Sequence, residues 1–206
     1  MQFAVLTGDI VSSSDLTASQ LDAALDAINT AVSAIASWRK GLVTGHARRG
    51  GDSWQCAIGA PVLDLRAALF IRAALRREGK ALSTRIAIAR GPGTLPEDAD
   101  PNGAHGPAFT ASGRLLADIS NHAQMAHASG GLLAATTRLA DHISQDWTVA
   151  QARAMHAALP PGTGPRAEIA EQLGITRQAV NQALWAAGFP AISDALELTE
   201  RDEDAA

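Results

Sequence analysis

Residues 3–14 read Phe3-Ala4-Val5-Leu6-Thr7-Gly8-Asp9-Ile10-Val11-Ser12-Ser13-Ser14, and the fold turns on how the apolar half of that stretch is placed. Four apolar residues in succession are too few for a helix with a solvent face, so the run predicts a strand buried on both faces that ends at Gly8. Asp9 then falls at the mouth of a sheet. Gly8 permits close backbone approach, and residues 10–14 offer N–H groups together with the hydroxyls of Ser12, Ser13 and Ser14 ahead of a helix. An acid beside an array of donors suits a metal-bound phosphate. The same residues also fit a buried strand after which Asp9 caps a turn and the serines form a solvated loop.

The chain around this stretch has 206 residues, 47% of them hydrophobic, which allows one ordinary domain plus a small second one with a real core. Its start carries no basic, apolar, cleavable leader, and no apolar run is long enough to cross a bilayer, so a cytoplasmic location is expected. The single Cys56 has no partner for an internal disulfide and sits in an apolar run, where it packs as a small hydrophobe. The net charge of −4 hides an asymmetry, because an acidic excess gathers in the last residues. Residues 193–206 therefore read as an acidic tail.

Beyond the serines, Leu21, Leu25, Ile28, Val32 and Ile35 form one apolar stripe on a long helix that Gly41 and Gly45 end. A basic turn-rich stretch, His46 to Arg49, leads to Gly50-Gly51-Asp52-Ser53-Trp54, which reads as a hairpin with Gln55 to Ile58 as the return strand. Residues 61–80 predict a second helix with Leu63, Ala67, Phe70, Ile71 and Ala74 on its apolar face and Arg66, Arg72, Arg76 and Arg77 turned elsewhere. Thr84 to Ala89 alternates as a strand, residues 94–106 form a loop, and residues 108–122 form a helix carrying Phe109, Leu115, Leu116 and Ile119. Gly130 to Ala135 reads as a last strand and Thr137 to Ile143 as a short helix. The order describes an α/β (α+β) unit, a ferredoxin-like sandwich of a sheet covered by helices. His46, His105, His122 and His127 show no ligand spacing and read as surface or loop residues, and Trp54 reads as packing.

Asp52 gives Asp9 a companion, since a first-strand terminus beside a hairpin tip can place two carboxylates on one divalent cation. Gly8-Asp9-Ile10, Gly51-Asp52 on a hairpin, Arg85-Ile86-Ala87-Ile88 ending in Gly91, and the run from Gly106 through Arg114 to Leu115 resemble, in that order, the landmarks of class III nucleotidyl cyclase domains. Gly50-Gly51-Asp52 also resembles the hairpin of diguanylate cyclases. The set as a whole is most similar to small bacterial SatD-type proteins, which add a helix-turn-helix. The resemblance covers roughly the first two thirds of the chain. It implies a cyclase-like sandwich in which Asp9 and Asp52 ligate Mg2+ or Mn2+, Ile10 ligates through its carbonyl, and Val11, Ser12, Ser13 and Ser14 cradle a triphosphate. Arg114 becomes the arginine facing charge on the α-phosphate. The chain departs from the pattern at Thr110, where active cyclases usually carry asparagine, at Pro92, and at Gly103, near the base-reading aspartate. Arg48 is the candidate for the missing base-side lysine.

After Trp147-Thr148 a helix runs to about Leu159, and residues 160–165, rich in Pro and Gly, break it. In residues 166–184, small Ala170 permits helix crossing, Gly174 makes a turn and Thr176 caps a second helix. Ile169, Leu173, Ile175, Val180 and Leu184 form the shared core. This resembles the helix-turn-helix of bacterial regulators, in which Thr176, Arg177, Gln178, Asn181 and Gln182 would meet DNA. A helical hairpin used for dimerisation fits the same residues. Basic residues are few, Arg166 and Arg177 chiefly. The division expected is a nucleotidyl cyclase-like domain at 1–144, a small all-α helix-turn-helix domain at 147–192 and the tail.

These observations predict a cytoplasmic DNA-binding regulator of transcription whose first domain binds a metal and a nucleoside triphosphate or related nucleotide. The alternative is an active nucleotidyl cyclase, a phosphorus–oxygen lyase, whose helical end serves regulation or assembly. A scaffold that has lost both activities is a third possibility. A homodimer is expected, because the resembling cyclases build sites between two domains and this chain has one.

Overall fold

The computed structural model describes residues 1–120 and 122–204. Its frame is a five-stranded sheet of β1 (Gln2–Ile10), β2 (Thr44–Arg48), β3 (Ser53–Ile58), β4 (Thr84–Pro92) and β5 (Met125–His127) in the order β2-β3-β1-β4-β5. β1 is antiparallel to both neighbours, and β5 runs parallel to β4 at the edge. The first four strands thus form the ferredoxin-like arrangement, extended by one strand.

The central strand is buried on both faces, as its apolar run requires. Ala4, Leu6 and Ile10 face one core with α1 (Ala18–Ile35) and α2 (Asp64–Glu78), while Phe3 and Val5 face α3 (Pro107–Asp118) through Ala108 and Phe109. α1 begins at a capping box of Thr17 and Gln20 and buries Leu25, Ile28, Val32 and Ile35 on one stripe. It ends at Ile35, well before Gly41, and Gly45 lies inside β2, where a side chain would strike the Ala99 carbonyl. The stretch from His46 to Arg48 is likewise strand rather than turn.

The C-terminal helices continue the same core. α4 (Gly131–Gln145), α5 (Val149–Ala158), α6 (Arg166–Leu173), α7 (Arg177–Ala186) and α8 (Phe189–Asp204), with Leu159 capping the end of α5, contribute Ala140, Met155, Leu159, Ile169, Val180, Leu184, Ile192 and Leu196 to the cluster that holds α1 and α2. α2 is therefore enclosed by the sheet, by α1, and by α4, α5 and α8. This explains why Arg66 and Arg72, expected to point away from the core, are buried: each finds a carboxylate on a later helix, Glu200 and Asp141 respectively. Trp147 locks the junction by donating its indole N–H to the Ala187 carbonyl at 2.9 Å.

Several expectations change. Gly130 to Ala135 is not a strand: residues 131–135 open α4, which absorbs Thr137 to Ile143, and the edge strand is Met125–His127. A run of Leu and Ala after two glycines serves a helix start as well as a strand, and the sheet edge needs only three residues. The third helix stops at Asp118. Residues 193–204, read as an acidic tail, are helical and bury Leu196, whereas positions 205 and 206 lie outside the described residues. His127 is buried, not superficial. Its Nδ1 accepts the Ser129 N–H at 3.0 Å, so Nε2 carries the proton that meets Asp64 at 2.7 Å. Burial alone would raise the pKa of Asp64, but hydrogen bonds from Arg90 and His127 bring it below the usual carboxylate value.

Candidate functional site

At the end of β1 the sheet opens into a cavity of 290 Å³ lined by Asp9, Ile10, Val11, Ser12, Asp52, Arg85, Ala123 and Gln124. Its position follows from packing one residue earlier. A side chain at Gly8 would lie 2.5 Å from the Trp54 indole, which fills the space beneath that Cα and is fully buried. The glycine is therefore demanded by Trp54 and by the Arg85 carbonyl, which such a side chain would also strike, rather than by close approach of a ligand. Trp54 Nε1 donates to Thr84 Oγ1 at 2.9 Å, and Thr84 Oγ1 donates to the Asp9 carbonyl at 2.7 Å. This chain of contacts fixes the backbone that presents the carboxylate.

Asp52 reaches the cavity from the β2–β3 turn, where Gly50 and Gly51 both have positive φ. Its backbone carbonyl accepts the Ile10 N–H at 3.2 Å, and its carboxylate accepts a hydrogen bond from Ser13 Oγ. The loop after β1 is a tight turn: Ser12 is left-handed at φ 53, a strained conformation for a non-glycine residue, and a short 3-10 turn follows over Ser13–Asp15. The Val11 N–H is taken by the Ser83 carbonyl at 2.9 Å. The N–H groups of Ser12, Ser13 and Ser14 have no acceptor among the described residues. Of the three, Ser12 lines the cavity, and Ser13 and Ser14 do not.

Sequence reasoning missed the third charged group. Arg85 faces Asp9 across the β1–β4 register and holds it at two points, Nε to Oδ1 at 2.8 Å and a second N–H to Oδ2. The hydrogen bond to Asp9 raises the arginine's pKa, burial works against this, and the charges of Asp9 and Asp52 add to the rise. Arg85 thus lies within electrostatic reach of both acids. Arginine after a hairpin-paired strand was visible in the sequence, but the register that sets it against Asp9 was not. Beneath the site Thr7 accepts from Gln55 Nε2 at 2.8 Å and contacts Ser112 Oγ at 2.8 Å, a buried polar strip that ties α3 to the sheet.

Thr110 and Arg114 lie one turn apart on the exposed side of α3 and do not line this cavity. Arg48 pairs with Asp22 at 2.8 Å on the surface and with the Gly51 carbonyl. Among the described residues no group of three or more His, Cys, Asp or Glu is placed to hold a metal ion.

The second candidate surface is α7. Gly174 is left-handed, the Ile175 N–H returns to the Ala170 carbonyl at 3.0 Å, and Thr176 Oγ1 accepts the Ala179 N–H at 3.1 Å, which closes α6, turns the chain and caps α7. Arg177, Gln178, Asn181 and Gln182 are all exposed. Ile175, expected in the core, is 42% exposed, and Trp185, unremarked in the sequence, is 77% exposed at the far end of the same helix. Arg166 is not a free surface cation: its guanidinium stacks on Phe189 at 4.5 Å, and burial lowers its pKa.

Comparisons with solved structures find similarity at low identity. A structure of a bacterial light-regulated adenylyl cyclase matches at 15% identity with a TM-score of 0.44, over 61% of this chain and 74% of that one. A second structure of such a cyclase matches at 15% identity with a TM-score of 0.43, over 62% and 42% of the two chains. The guanylyl cyclase Cya2 matches at 16% identity with a TM-score of 0.44, over 64% of this chain and 79% of that one. No protein-family model and no curated protein sequence matches the chain. Among the described residues no helix is long and apolar enough to cross a membrane.

Proposed function

We propose that the cavity at the end of β1 binds a divalent cation, Mg2+ or Mn2+, with the phosphates of a nucleotide, and that α6 and α7 read double-stranded DNA. In this reading the chain is a nucleotide-responsive regulator of transcription that works as a two-fold pair. The observation that carries it is one cavity bringing together Asp9, Asp52, Ile10, Val11 and Ser12. Two carboxylates and a backbone carbonyl are hard oxygen donors, the chemistry such cations take, so the residues fit the group. Asp9, Asp52 and the Ile10 carbonyl would hold the cation, and it would supply positive charge against the phosphates. The unengaged N–H group of Ser12 would meet a phosphate oxygen.

Replacing Asp9 or Asp52 by Asn is expected to weaken metal-dependent nucleotide binding by about 1.5–3 kcal/mol while the fold persists. Calorimetric titration of ATP and GTP, with and without Mg2+, checks this. Unchanged affinity in both variants would remove the site.

For DNA, α6 and α7 offer one free arginine, Arg177, since Arg166 is stacked on Phe189. Binding by one copy should be weak and salt-sensitive, so two copies reading half-sites are needed. Arg177→Ala or Asn181→Ala is expected to cost about 1–3 kcal/mol at a specific site and to leave nucleotide binding unchanged. Selection from random duplexes at low salt supplies the site. Failure to enrich any sequence would return α6 and α7 to an assembly role.

One observation favours the nucleotidyl cyclase as a second reading. Thr110 and Arg114 are solvent-facing on α3 and turned from their own cavity, which is where a second copy could use them. Cyclic product formed from a nucleoside triphosphate, and lost in Asp9→Asn, is the result that would favour it over the regulator.

A further inference from the structure

Arg85 occupies the place where the cation reading puts positive charge. Its position is set by the sheet: Asp9 and Arg85 are paired residues of β1 and β4, so the contact follows from register and not from a loop conformation. The guanidinium engages both oxygens of Asp9 and lines the same cavity as Asp52. Two cations within reach of one carboxylate repel each other, so a divalent ion binds Asp9 less tightly while Arg85 remains there. The arginine can leave. Its side chain is 38% exposed against 17% for Asp9, and it lines the open cavity.

We propose that Arg85 is an exchangeable counter-ion: a divalent cation displaces it from Asp9, and the freed guanidinium, still tethered to the cavity wall, turns to a phosphate of the incoming ligand. This rests on the cation reading above and adds to it the order in which charges are satisfied. Metal alone must compete with an internal cation and binds weakly. Metal with a polyphosphate binds well, because the displaced arginine gains a two-point phosphate contact in place of the carboxylate it gave up. The arginine thereby couples occupancy by metal to occupancy by phosphate, and the pair of carboxylates does not collect free cations.

The test uses the full chain, with Mn2+ alone as the first probe, followed by the spectroscopic loss of free Mn2+ on titration, and Mn2+ with inorganic tripolyphosphate as the second. Arg85→Gln is expected to bind Mn2+ alone about tenfold more tightly than the unaltered chain, a value reduced for the partly exposed position, and Mn2+ with tripolyphosphate about tenfold more weakly. Arg85→Lys keeps the charge without the two-point fork and should fall between the two in both titrations. If Arg85→Gln does not fold, the lysine variant decides by the same opposite shifts. Equal and measurable Mn2+ affinity in all three chains overturns the exchange and leaves the cation site standing. Absence of Mn2+ binding in every chain overturns both.

Discussion

Asp141→Ala is expected to lower the free energy of unfolding by about 3–5 kcal/mol, the usual cost of leaving one charge of a buried pair alone. Asp141 is fully enclosed on α4, and Arg72 on α2 is only 1% exposed. The arginine donates through one nitrogen to Asp141 Oδ1 at 2.9 Å and to Ser144 Oγ at 2.8 Å. Burial pulls the Arg72 pKa below its ordinary value, and the Asp141 charge offsets part of that pull. The other carboxylate oxygen accepts the Gln124 backbone N–H at 3.0 Å and the Gln145 side chain at 2.8 Å. Gln124 is a wall of the candidate site, so the loss should also loosen the cavity. Urea unfolding measures the effect. A double change, Arg72→Met with Asp141→Leu, should recover part of it, since it removes the lone buried charge but leaves the Gln124 N–H without its acceptor. A loss below about 1 kcal/mol for Asp141→Ala would mean that Arg72 reaches water once freed.

Acidification from pH 7 to 4.5 is expected to cost about 2–3 kcal/mol through His156 alone. This residue of α5 stacks on Phe70 of α2 with ring centroids 4.1 Å apart, and its Nδ1 faces an Arg77 nitrogen at 3.0 Å. Burial, then the Arg77 charge, lower its pKa to about 3, so the folded protein holds it neutral. The unfolded chain takes up a proton below about pH 6.5 and the folded one does not. The stability His156 contributes is therefore whole above about 6.5 and is lost progressively as the pH falls toward 3. Asp64 acts in a lower window: with its folded pKa depressed, its contribution is present above about 3.9 and falls away below that. Urea midpoints at pH 7, 5.5 and 4.5 report the His156 window, and a further point at about pH 3 in His156→Gln reports Asp64. His156→Gln should flatten the upper window, and an unchanged slope in that variant would assign the acid sensitivity elsewhere.

The parts of the fold legible in the sequence are those whose pattern is local. β1 announced itself by an apolar run, α1 by a stripe, the hairpin by Gly50-Gly51, and the α6–α7 turn by Gly174 and Thr176. What stayed hidden depends on partners distant in sequence. Arg66 and Arg72 look like solvent arginines until α4 and α8 enclose α2, and His127 looks like a loop histidine until Asp64 meets it. The candidate site shows the same division. Asp9 and Asp52 were read from motif spacing and do line one cavity, whereas Arg85 required the antiparallel register.

The bond between Arg66 and Glu200 bears on how the chain is made. Arg66 donates to both Glu200 oxygens, at 2.6 and 3.0 Å, and to the Leu159 carbonyl at 2.8 Å. Synthesis proceeds from the N-terminus at several residues per second, so α2 leaves the ribosome long before either acceptor exists. Through that interval its outward side shows Leu65, Leu69 and an unsatisfied arginine to the surroundings, although the sheet can already form. The nascent chain is thus sticky along one helix until almost its last residues arrive, a window in which a holding chaperone has something to hold.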